Sequence, residues 1–285
     1  MSCPGRKKRK LITDKMKNNH LSKKDLAQQL GISRASLYYQ PKLPQKDWQL
    51  KTQIEQVLHT HPSYGHKRIA LAIGINRKRV LRVMKLFGIK PYRRRVRKPR
   101  KKRDEGNVPA PYPNLLLKVF PSQPHAVWVS DFTYIPYRQR FIYLATVMDI
   151  FTRKIVGFNI LTAHNTELVR EALLYALLHY PKPDILHSDQ GREYTAKEYI
   201  NLANVVGIKL SMSHKSCPWE NGYQESFYSQ FKVDLGDPHR FDNLGELVCN
   251  IYKHIHIYNQ FRIHTKLKMP PAAYARRHQL SHLLL

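Results

Sequence analysis

Three acidic residues stand where the surrounding sequence predicts buried structure. Asp131 interrupts a strand of alternating apolar residues, Asp189 follows a short apolar strand, and Glu225 lies near the start of a helix that continues through Phe231. Carboxylates that a fold brings together repel one another unless a cation or a proton compensates them. Mg²⁺ prefers such oxygen ligands and keeps its other positions for water and substrate phosphate. The three acids are therefore a candidate metal site, although any one of them alone would equally suit a helix cap or an exposed position.

The sequence from residue 126 onward predicts the elements that would position these acids. Aromatic and β-branched residues predict three strands in succession, which favours an antiparallel meander. A helix, a strand, a helix, a strand and a last helix follow, so we expect a mixed α/β sheet. The predicted strands are 127–135, 141–148, 154–160, 184–188 and 208–210; the predicted helices are one capped by Asn165 or Thr166 and ended by Pro181 and Pro183, one around 196–206, and the one that carries Glu225.

Basic residues are concentrated in the first third of the chain. The 285 residues include 49 Lys and Arg against 20 Asp and Glu, a net charge of +29. Residues 1–103 hold 30 of the basic residues and four of the acids, so the remainder is nearly neutral. This asymmetry predicts a polyanion-binding arm on a globular body. Nucleic acid is the favoured polyanion, because structured motifs lie inside the basic part; an anionic membrane surface and a solubilising tail are the alternatives.

The composition excludes several classes of protein. A hydrophobic content of 42% is too high for a wholly disordered chain. The sequence has neither an apolar run of about 18 residues nor a secretory signal, so we expect a cytoplasmic, nucleoid-associated protein without a membrane partner. Its three cysteines are scattered and form no C-x-x-C pair, so neither a disulfide framework nor a structural zinc site is predicted.

Two helix-turn-helix units are predicted in the basic part. In the first, apolar residues lie on both sides of Gly31, and Ser33 can cap a helix that begins at Arg34. This helix would offer Arg34, Ser36 and Tyr38 to a DNA major groove. A plain two-helix hairpin would use the same apolar residues.

The second unit covers residues 64–89, where Gly74 precedes a helix that Asn76 can cap. Its apolar residues lie on one face, and its opposite face carries basic residues only, unlike the mixed charges of an ordinary exposed helix. We expect this stripe to contact DNA; its members are Arg77, Lys78, Arg79, Arg82 and Lys85.

Each candidate metal ligand lies in a short block of characteristic residues. The blocks are Trp128-Val-Ser-Asp131-Phe-Thr-Tyr134, His187-Ser-Asp189-Gln-Gly-Arg-Glu-Tyr194 and Asn221-Gly-Tyr-Gln-Glu225-Ser-Phe227. They resemble the catalytic blocks of bacterial insertion-sequence transposases of the IS-three family, second-reading-frame (OrfB) type, whose superfamily includes the retroviral integrases. The 35 residues between Asp189 and Glu225 match the spacing of that superfamily, and Lys232 matches the basic residue that the family carries there.

The resemblance extends over almost the whole chain. Residues 30–39 and 64–69 are similar to the two helix-turn-helix units of the family, and residues 258–274 are similar to its closing segment. Three positions depart from the family pattern: Glu220 and Gly222 stand where Asp and Ala are usual, and Ser216 where Gly is common. These departures concern the loop before the Glu225 helix rather than the acids themselves.

The resemblance implies a ribonuclease-H-like mixed-sheet catalytic core preceded by all-α helix-turn-helix DNA-binding units. It divides the chain into a basic N-terminal region with the first unit (1–50), the second unit (51–92), a basic Pro-containing linker (93–114) and the core with a C-terminal helical segment (115–280). Asp131, Asp189 and Glu225 would hold two Mg²⁺ ions, with Mn²⁺ as a substitute. The activity implied is metal-dependent cleavage of element ends and transfer of the 3′-hydroxyl to another phosphodiester.

The resemblance also implies further residues and partners. Lys232 would grip a DNA phosphate, unless it only solubilises its helix, and His187 would orient Asp189 or contact the substrate. Trp219 and Tyr223 could stack on an unpaired base, but core packing is the favoured reading for Tyr223. The partners would be double-stranded DNA, further copies of the chain, and an upstream-frame transposase protein or a fusion with it. A nuclease without strand transfer and a non-catalytic DNA-binding regulator are the competing functions.

Overall fold

The computed structural model of the protein describes residues 22–29, 31, 33–35, 43–92, 110–214 and 217–282. Contacts divide the chain into two compact units, residues 1–52 and residues 53–285. Within the first unit, helix α1 (Lys23–Gln29) buries Ala27, and Arg34 is exposed. Ser36 and Tyr38 lie outside the described residues, as does most of the predicted linker. The first helix-turn-helix and the predicted domain boundaries therefore stay predictions.

Helix α2 (Leu43–Thr60) starts in the first unit and ends in the second, where α3 (His66–Ile73) and α4 (Arg77–Leu86) follow. Gly74 ends α3 in the left-handed region, with φ of 67°, a conformation that glycine adopts without strain. The Asn76 side chain accepts a hydrogen bond from the Lys78 amide at 2.9 Å, which confirms the predicted cap.

Helix α4 has the two faces that its sequence predicts. Val80, Val83 and Met84 are buried on one face. On the other, Arg79 is half-buried and the remaining members of the stripe are exposed, namely Arg77, Lys78, Arg82 and Lys85. The structure thus confirms a basic surface on α4, and its contact with DNA stays a prediction.

A five-stranded mixed sheet forms the centre of the second unit. Strands β1 (Val127–Tyr137), β2 (Arg140–Asp149) and β3 (Ile155–Leu161) are antiparallel. Strands β4 (Ile185–Ser188) and β5 (Lys209–Met212) extend the other side of β1 in parallel, which gives the order β3-β2-β1-β4-β5. The predicted meander and mixed α/β sheet are confirmed, with strand ends shifted by up to two residues.

Helices cover both faces of this sheet. The first face packs against α5 (Thr166–His179), α6 (Arg192–Thr195) and α7 (Lys197–Val206). The second face packs against α8 (Gly222–Leu235) and α9 (Leu244–Gln260). Side chains of β1 alternate between these two faces. Trp128 packs on the first face, and Val127 and Val129 pack on the second. Helix α10 (Pro271–His282) is the last described element. The described residues also form three 3₁₀ turns earlier in the chain: Leu115–Leu117, Pro218–Asn221 and Pro238–Arg240.

Strand β3 and helix α5 approach so closely that one position accepts glycine alone. A Cβ on Gly157 would lie 2.2 Å from the carbonyl oxygen of Ala172 and 2.8 Å from the Cβ of Ala176. The helix itself begins at Asn165, whose side chain accepts a hydrogen bond from the Leu168 amide at 3.1 Å, as predicted. None of the helices in the described ranges has the length and apolar character needed to cross a membrane.

The segment before α3 is tied to the segment after α9. The buried Arg262 pairs with Asp234 and donates a hydrogen bond to the Ser63 hydroxyl at 2.7 Å. The Tyr64 hydroxyl accepts a hydrogen bond from the Ile263 amide, also at 2.7 Å. Because a buried ion pair broken on one side leaves an uncompensated charge, these contacts hold the two segments together firmly.

Candidate active site

Asp131 lies in the middle of β1, next to the sheet's transition from antiparallel to parallel pairing. Its Oδ1 accepts a hydrogen bond from the Phe132 amide at 2.8 Å. Burial raises the pKa of Asp131 to about 8, and the charges of Asp189 and Glu225 add to the increase; the Phe132 bond and the charge of Lys232 oppose it. Asp189, Glu225 and Lys232 are therefore all close enough to Asp131 to affect its pKa.

Strand pairing places Asp189 beside Asp131. Val129 of β1 pairs with His187 of β4. Because the two strands are parallel, the residues two positions further on, Asp131 and Asp189, lie at the same level along the sheet. The Asp189 Oδ1 accepts a hydrogen bond from the Gly191 amide at 2.9 Å, which fixes the carboxylate at the turn into α6. Burial raises the pKa of Asp189; the Gly191 bond lowers it, and the nearby Glu193 raises it further.

Glu225 comes from the first turn of α8 and is exposed, and partial burial raises its pKa. Two buried polar residues dock this helix on the sheet. The Gln224 Nε2 donates hydrogen bonds to the carbonyl of Val129 at 2.8 Å and to that of Thr146 at 3.1 Å, and the Thr146 hydroxyl donates to Gln224 Oε1 at 3.0 Å. One turn later, the Tyr228 hydroxyl donates to the carbonyl of Asp131 itself at 2.6 Å.

Gln224 and Tyr228 thus act as a clamp that sets the position of Glu225 relative to Asp131. Neither residue was predicted from the sequence as part of the site. The available signal was two polar side chains four residues apart, on a face that also carries Phe227 and Phe231. Such buried polar groups require partners, and here the partners are backbone carbonyls next to the acid.

Tyr228→Phe tests the clamp. It leaves the carbonyl of Asp131 and the hydroxyl of Thr146 without this partner, so we expect the free energy of unfolding to fall by about 1–3 kcal/mol. DNA cleavage should fall more than DNA binding, because the misplaced acid affects only chemistry. Denaturant unfolding, a cleavage assay and a binding assay measure the three quantities. Tyr252→Phe, an exposed position on α9, is the matched control; equal losses in both variants would contradict the clamp.

The loop before α8 is held by Glu220, one of the departures from the family pattern. Its carboxylate accepts hydrogen bonds from the Asn114 side chain at 2.7 Å and from the His214 amide at 2.7 Å, and it contacts the His214 Nδ1 at 3.0 Å. Burial tends to raise the pKa of Glu220, but these bonds outweigh it and hold the pKa below its usual value. Glu220, whose side chain is longer than that of the usual Asp, therefore anchors this loop through Asn114 and His214.

Lys232 lies at the site, two turns after Glu225. Its Nζ is 4.7 Å from the centroid of the Tyr134 ring, which projects from β1 three residues after Asp131. The ring also makes an edge contact with Phe141, and both aromatic side chains are about half exposed. A cation above an exposed aromatic face and beside three carboxylates is suitably placed to meet a phosphate. That Lys232 contacts DNA stays a prediction.

His187 is fully buried, and its hydrogen bond goes to β5 rather than to Asp189. Its Nδ1 lies 2.9 Å from the Ser211 hydroxyl, which in turn accepts a hydrogen bond from the Leu115 amide at 2.9 Å. Burial lowers the pKa of His187 to about 4, so the ring is neutral at neutral pH. The predicted role of orienting Asp189 thus has no direct contact to support it within the described chain.

Tyr223 differs from its prediction, and Trp219 cannot be compared. Tyr223 is 36% exposed instead of packed in the core, and the guanidinium of Arg153 lies 4.1 Å from its ring centroid. The reason is its position in the first turn of α8, on a face that the sheet does not cover. The side chain of Trp219 lies outside the described residues.

The donor set at this site fits a hard divalent cation. Among the described residues, no three His, Cys, Asp or Glu side chains lie close enough together to hold a metal ion as they stand. Carboxylates do not close on one another without a compensating charge; burial is the main cause of the raised pKa of Asp131, and the charges of Asp189 and Glu225 add to it. Three carboxylates with room for water match the preference of Mg²⁺ for oxygen ligands.

Comparisons with known proteins identify the class to which this fold and site belong. Two sequence models, both described as integrase core domain, match residues 121–218 and 206–271. The three acids lie within these ranges. The second unit thus contains an integrase-type, ribonuclease-H-like core, and the predicted fold class of the core is confirmed.

Curated relatives narrow the class to a family. The transposase for insertion sequence element IS904 from Lactococcus lactis is 36% identical over 228 residues, 76% of this chain and 89% of the relative. The 31 kDa protein of insertion element IS600 from Shigella sonnei is 32% identical over 277 residues, 90% of this chain and 100% of the relative. The chain belongs to the insertion-sequence transposases of the IS-three family, second-reading-frame type, and is a polynucleotidyl transferase of the DDE class.

Among solved structures, the catalytic core domain of HTLV-2 integrase in complex with magnesium is similar to this chain. It is 19% identical and covers 54% of this chain and 98% of its own length, with a TM-score of 0.43.

Proposed function

We propose that this transposase cuts DNA at the ends of its insertion element and joins the freed 3′-hydroxyl to another phosphodiester, with Asp131, Asp189 and Glu225 as its metal ligands. The observation that carries the proposal is the placement of the three acids around one point, from β1, from the turn after β4 and from the first turn of α8; burial, with the charges of Asp189 and Glu225, raises the pKa of Asp131 to about 8. Structural carboxylates are seldom gathered in this way, whereas metal-dependent phosphoryl transfer requires it.

Two divalent ions, Mg²⁺ or Mn²⁺ in its place, would supply activation of the attacking oxygen and stabilisation of the leaving oxygen. The chain's own residues prepare for this chemistry. Asp131 would hold the metal as a carboxylate, its proton released to solvent water, and the clamp of Gln224 and Tyr228 holds Glu225 in position. Lys232 offers a positive charge to the phosphate next to the cut.

The proposed substrate is double-stranded DNA, held outside the catalytic centre by the basic helical segments. Support comes from the exposed basic face of α4, which carries Arg77, Lys78 and Arg82, and from the exposed Arg34. Ser36 and Tyr38 complete the first proposed reading helix. Because strand transfer needs two element ends together, we propose that the chain acts as a homo-oligomer. An upstream-frame protein, or a fusion with it, is a further proposed partner.

The test is a strand-transfer assay with labelled duplexes that contain the boundaries of the source element. We expect cleavage at the 3′ end and joining with Mg²⁺ or Mn²⁺, neither with EDTA, and neither with Glu225→Gln. Cleavage without joining would favour a nuclease. DNA binding without cleavage, even after the upstream-frame protein is added, would favour a regulator, and either result would overturn the proposal.

A further inference from the structure

A cavity opens on a different side of α8 from the catalytic acids. Its volume is about 400 Å³, which lies in the range of small-ligand sites. It is lined by side chains from β2, the β2–β3 turn, α8, α9 and the segment after α9. These residues are Met148, Arg153, Gly222, Tyr223, Ser226, Phe227, Gln230, Tyr258 and His264, and none of them is acidic.

Arg153 is the principal charged group of this cavity. The residue is only 7% exposed, and its Nε is buried without a hydrogen-bond partner. Within the described residues, no carboxylate or carbonyl accepts a hydrogen bond from its side chain. The carboxylate of Asp149, in the same turn, is already used by the amides of Phe151 and Thr152 and by the Thr152 hydroxyl. A buried guanidinium without a counter-charge is costly, so an anionic ligand would stabilise it.

The backbone holds Arg153 in an uncommon conformation. Its φ is 63°, in the left-handed region that is unfavourable for a residue with a side chain. Two hydrogen bonds maintain it: the Arg153 amide donates to the Asp149 carbonyl at 2.8 Å, and the Tyr258 hydroxyl donates to the Arg153 carbonyl at 3.0 Å. The side chain is thereby fixed against the Tyr223 ring, with the edge of its guanidinium left for a ligand.

Other groups around the cavity are also positive or unpartnered. The Nδ1 of His264 is buried without a partner. Burial lowers the pKa of His264 to about 4, and the surrounding cations add to this effect. These cations are Arg153, Arg68, Arg262 and Lys266, of which Arg262 is paired with Asp234.

The N-terminus of α8 adds a further attraction for an anion. Gly222 and Tyr223 form the first turn of this 14-residue helix, and Asn221 makes no side-chain hydrogen bond that would cap it. The amide groups and the dipole of such an end favour negative charge. With about 100° per residue, Ser226 and Gln230 lie about 100–140° round the helix from Glu225. The cavity and the catalytic acids therefore lie on different sides of α8.

We propose that this cavity binds a backbone phosphate of DNA that lies outside the catalytic centre, through the Arg153 guanidinium, the Ser226 hydroxyl and the N-terminus of α8. The identity of the ligand rests on the proposed strand-transfer function, while the existence of an anion site rests on the cavity itself. DNA is the proposed source of the anion because it is the substrate of the proposed strand transfer and carries a phosphate at every nucleotide.

The experiment measures DNA affinity by fluorescence anisotropy in EDTA, with the full chain and a duplex carrying the element end, over a series of KCl concentrations. Arg153→Gln and Ser226→Glu should each weaken binding by about tenfold. The slope of log affinity against log salt should become shallower by about 0.9, the loss of one phosphate contact. Ser226 is exposed, so its substitution tests the cavity even if Arg153→Gln unfolds the protein.

Two control variants separate charge at the cavity from other effects. Ser226→Gln has nearly the size of Ser226→Glu without its charge, and Asn201→Glu places the same charge on exposed α7. Asn201→Glu should keep the wild-type affinity and slope, whereas Ser226→Gln, which removes only a neutral hydroxyl contact, should weaken binding less than Ser226→Glu does. Wild-type affinity and slope in folded Ser226→Glu would overturn the anion site. Absence of metal-dependent cleavage by the wild type would instead overturn the proposed function, because the binding assay contains no metal.

Discussion

Asp131→Asn is expected to abolish DNA cleavage and, at the same time, to make the metal-free protein more stable. Loss of a metal ligand removes several kcal/mol of transition-state stabilisation, so cleavage should fall by about a thousandfold or more. The stability gain has a separate cause. Burial and two neighbouring carboxylates make the ionised form of Asp131 unfavourable, and Asn carries no charge at any pH.

The sign of the pH dependence follows from the raised pKa. In the unfolded chain Asp131 titrates near 3.8, and in the folded protein near 8, so folding takes up a proton between these values. The stability contributed by the protonated form is complete below about pH 4 and is lost as the pH rises to about 8. At 1.36 kcal/mol per pKa unit the loss is at most about 6 kcal/mol. We expect about 2–4 kcal/mol, because water reaches the partly exposed carboxyl.

Denaturant unfolding at pH 5 and pH 8, with and without Mg²⁺, measures this effect. Wild type should gain stability from Mg²⁺ at pH 8, whereas Asp131→Asn should start more stable and gain little. Glu225→Gln should also be inactive but should leave metal-free stability within about 0.5 kcal/mol, since Glu225 is exposed. Asp184→Asn, an exposed aspartate, is the matched control. A metal-free Asp131→Asn protein less stable than wild type at pH 8 would contradict the electrostatic account.

The sequence predicted those parts of the site that depend on local patterns. Asp131 breaks an alternating strand, Asp189 follows an apolar one, and the seven-residue interval from Glu225 to Lys232 completes nearly two helical turns. These features predict the sheet and the positions of the two aspartates in it. They also predict that Glu225 and Lys232 lie on the same side of α8. The family resemblance then assigns the three acids to one metal site.

Contacts between distant segments could not be predicted in the same way. The clamp joins Gln224 to carbonyls about 80 and 95 residues earlier in the chain, and its position on the same helix face as Phe227 and Phe231 does not identify these partners. His187 was expected to orient Asp189 or to contact the substrate, but its ring pairs with Ser211, the residue opposite it on β5. Tyr223 was expected in the core because it is aromatic, although its helix position is uncovered. In each case the partner of the side chain is set by tertiary packing.

Lys232→Gln is expected to slow DNA cleavage about 10- to 100-fold, since a charged contact to phosphate contributes about 1.5–3 kcal/mol. It should also move the pH dependence of cleavage toward higher pH. The positive charge of Lys232 lowers the pKa of Asp131, so its removal makes that carboxyl harder to ionise. Lys197→Gln makes the same charge change at an exposed position on α7 and should alter neither quantity. Equal rates for the two variants would assign Lys232 to the solubility of its helix.

Substitutions of Tyr134 test whether the rate of DNA cleavage depends on the position of the Lys232 amine as well as on its charge. The Lys232 amine lies over the Tyr134 ring, so Tyr134→Leu should release it and lower the cleavage rate by about 2- to 30-fold, the equivalent of 0.5–2 kcal/mol. Tyr134→Phe keeps the aromatic face and should retain most of the activity. In the Lys232→Gln background the effect of Tyr134→Leu should disappear, because the ring would act only through the cation. Independent effects in this double-mutant cycle would mean that Tyr134 contacts the DNA itself.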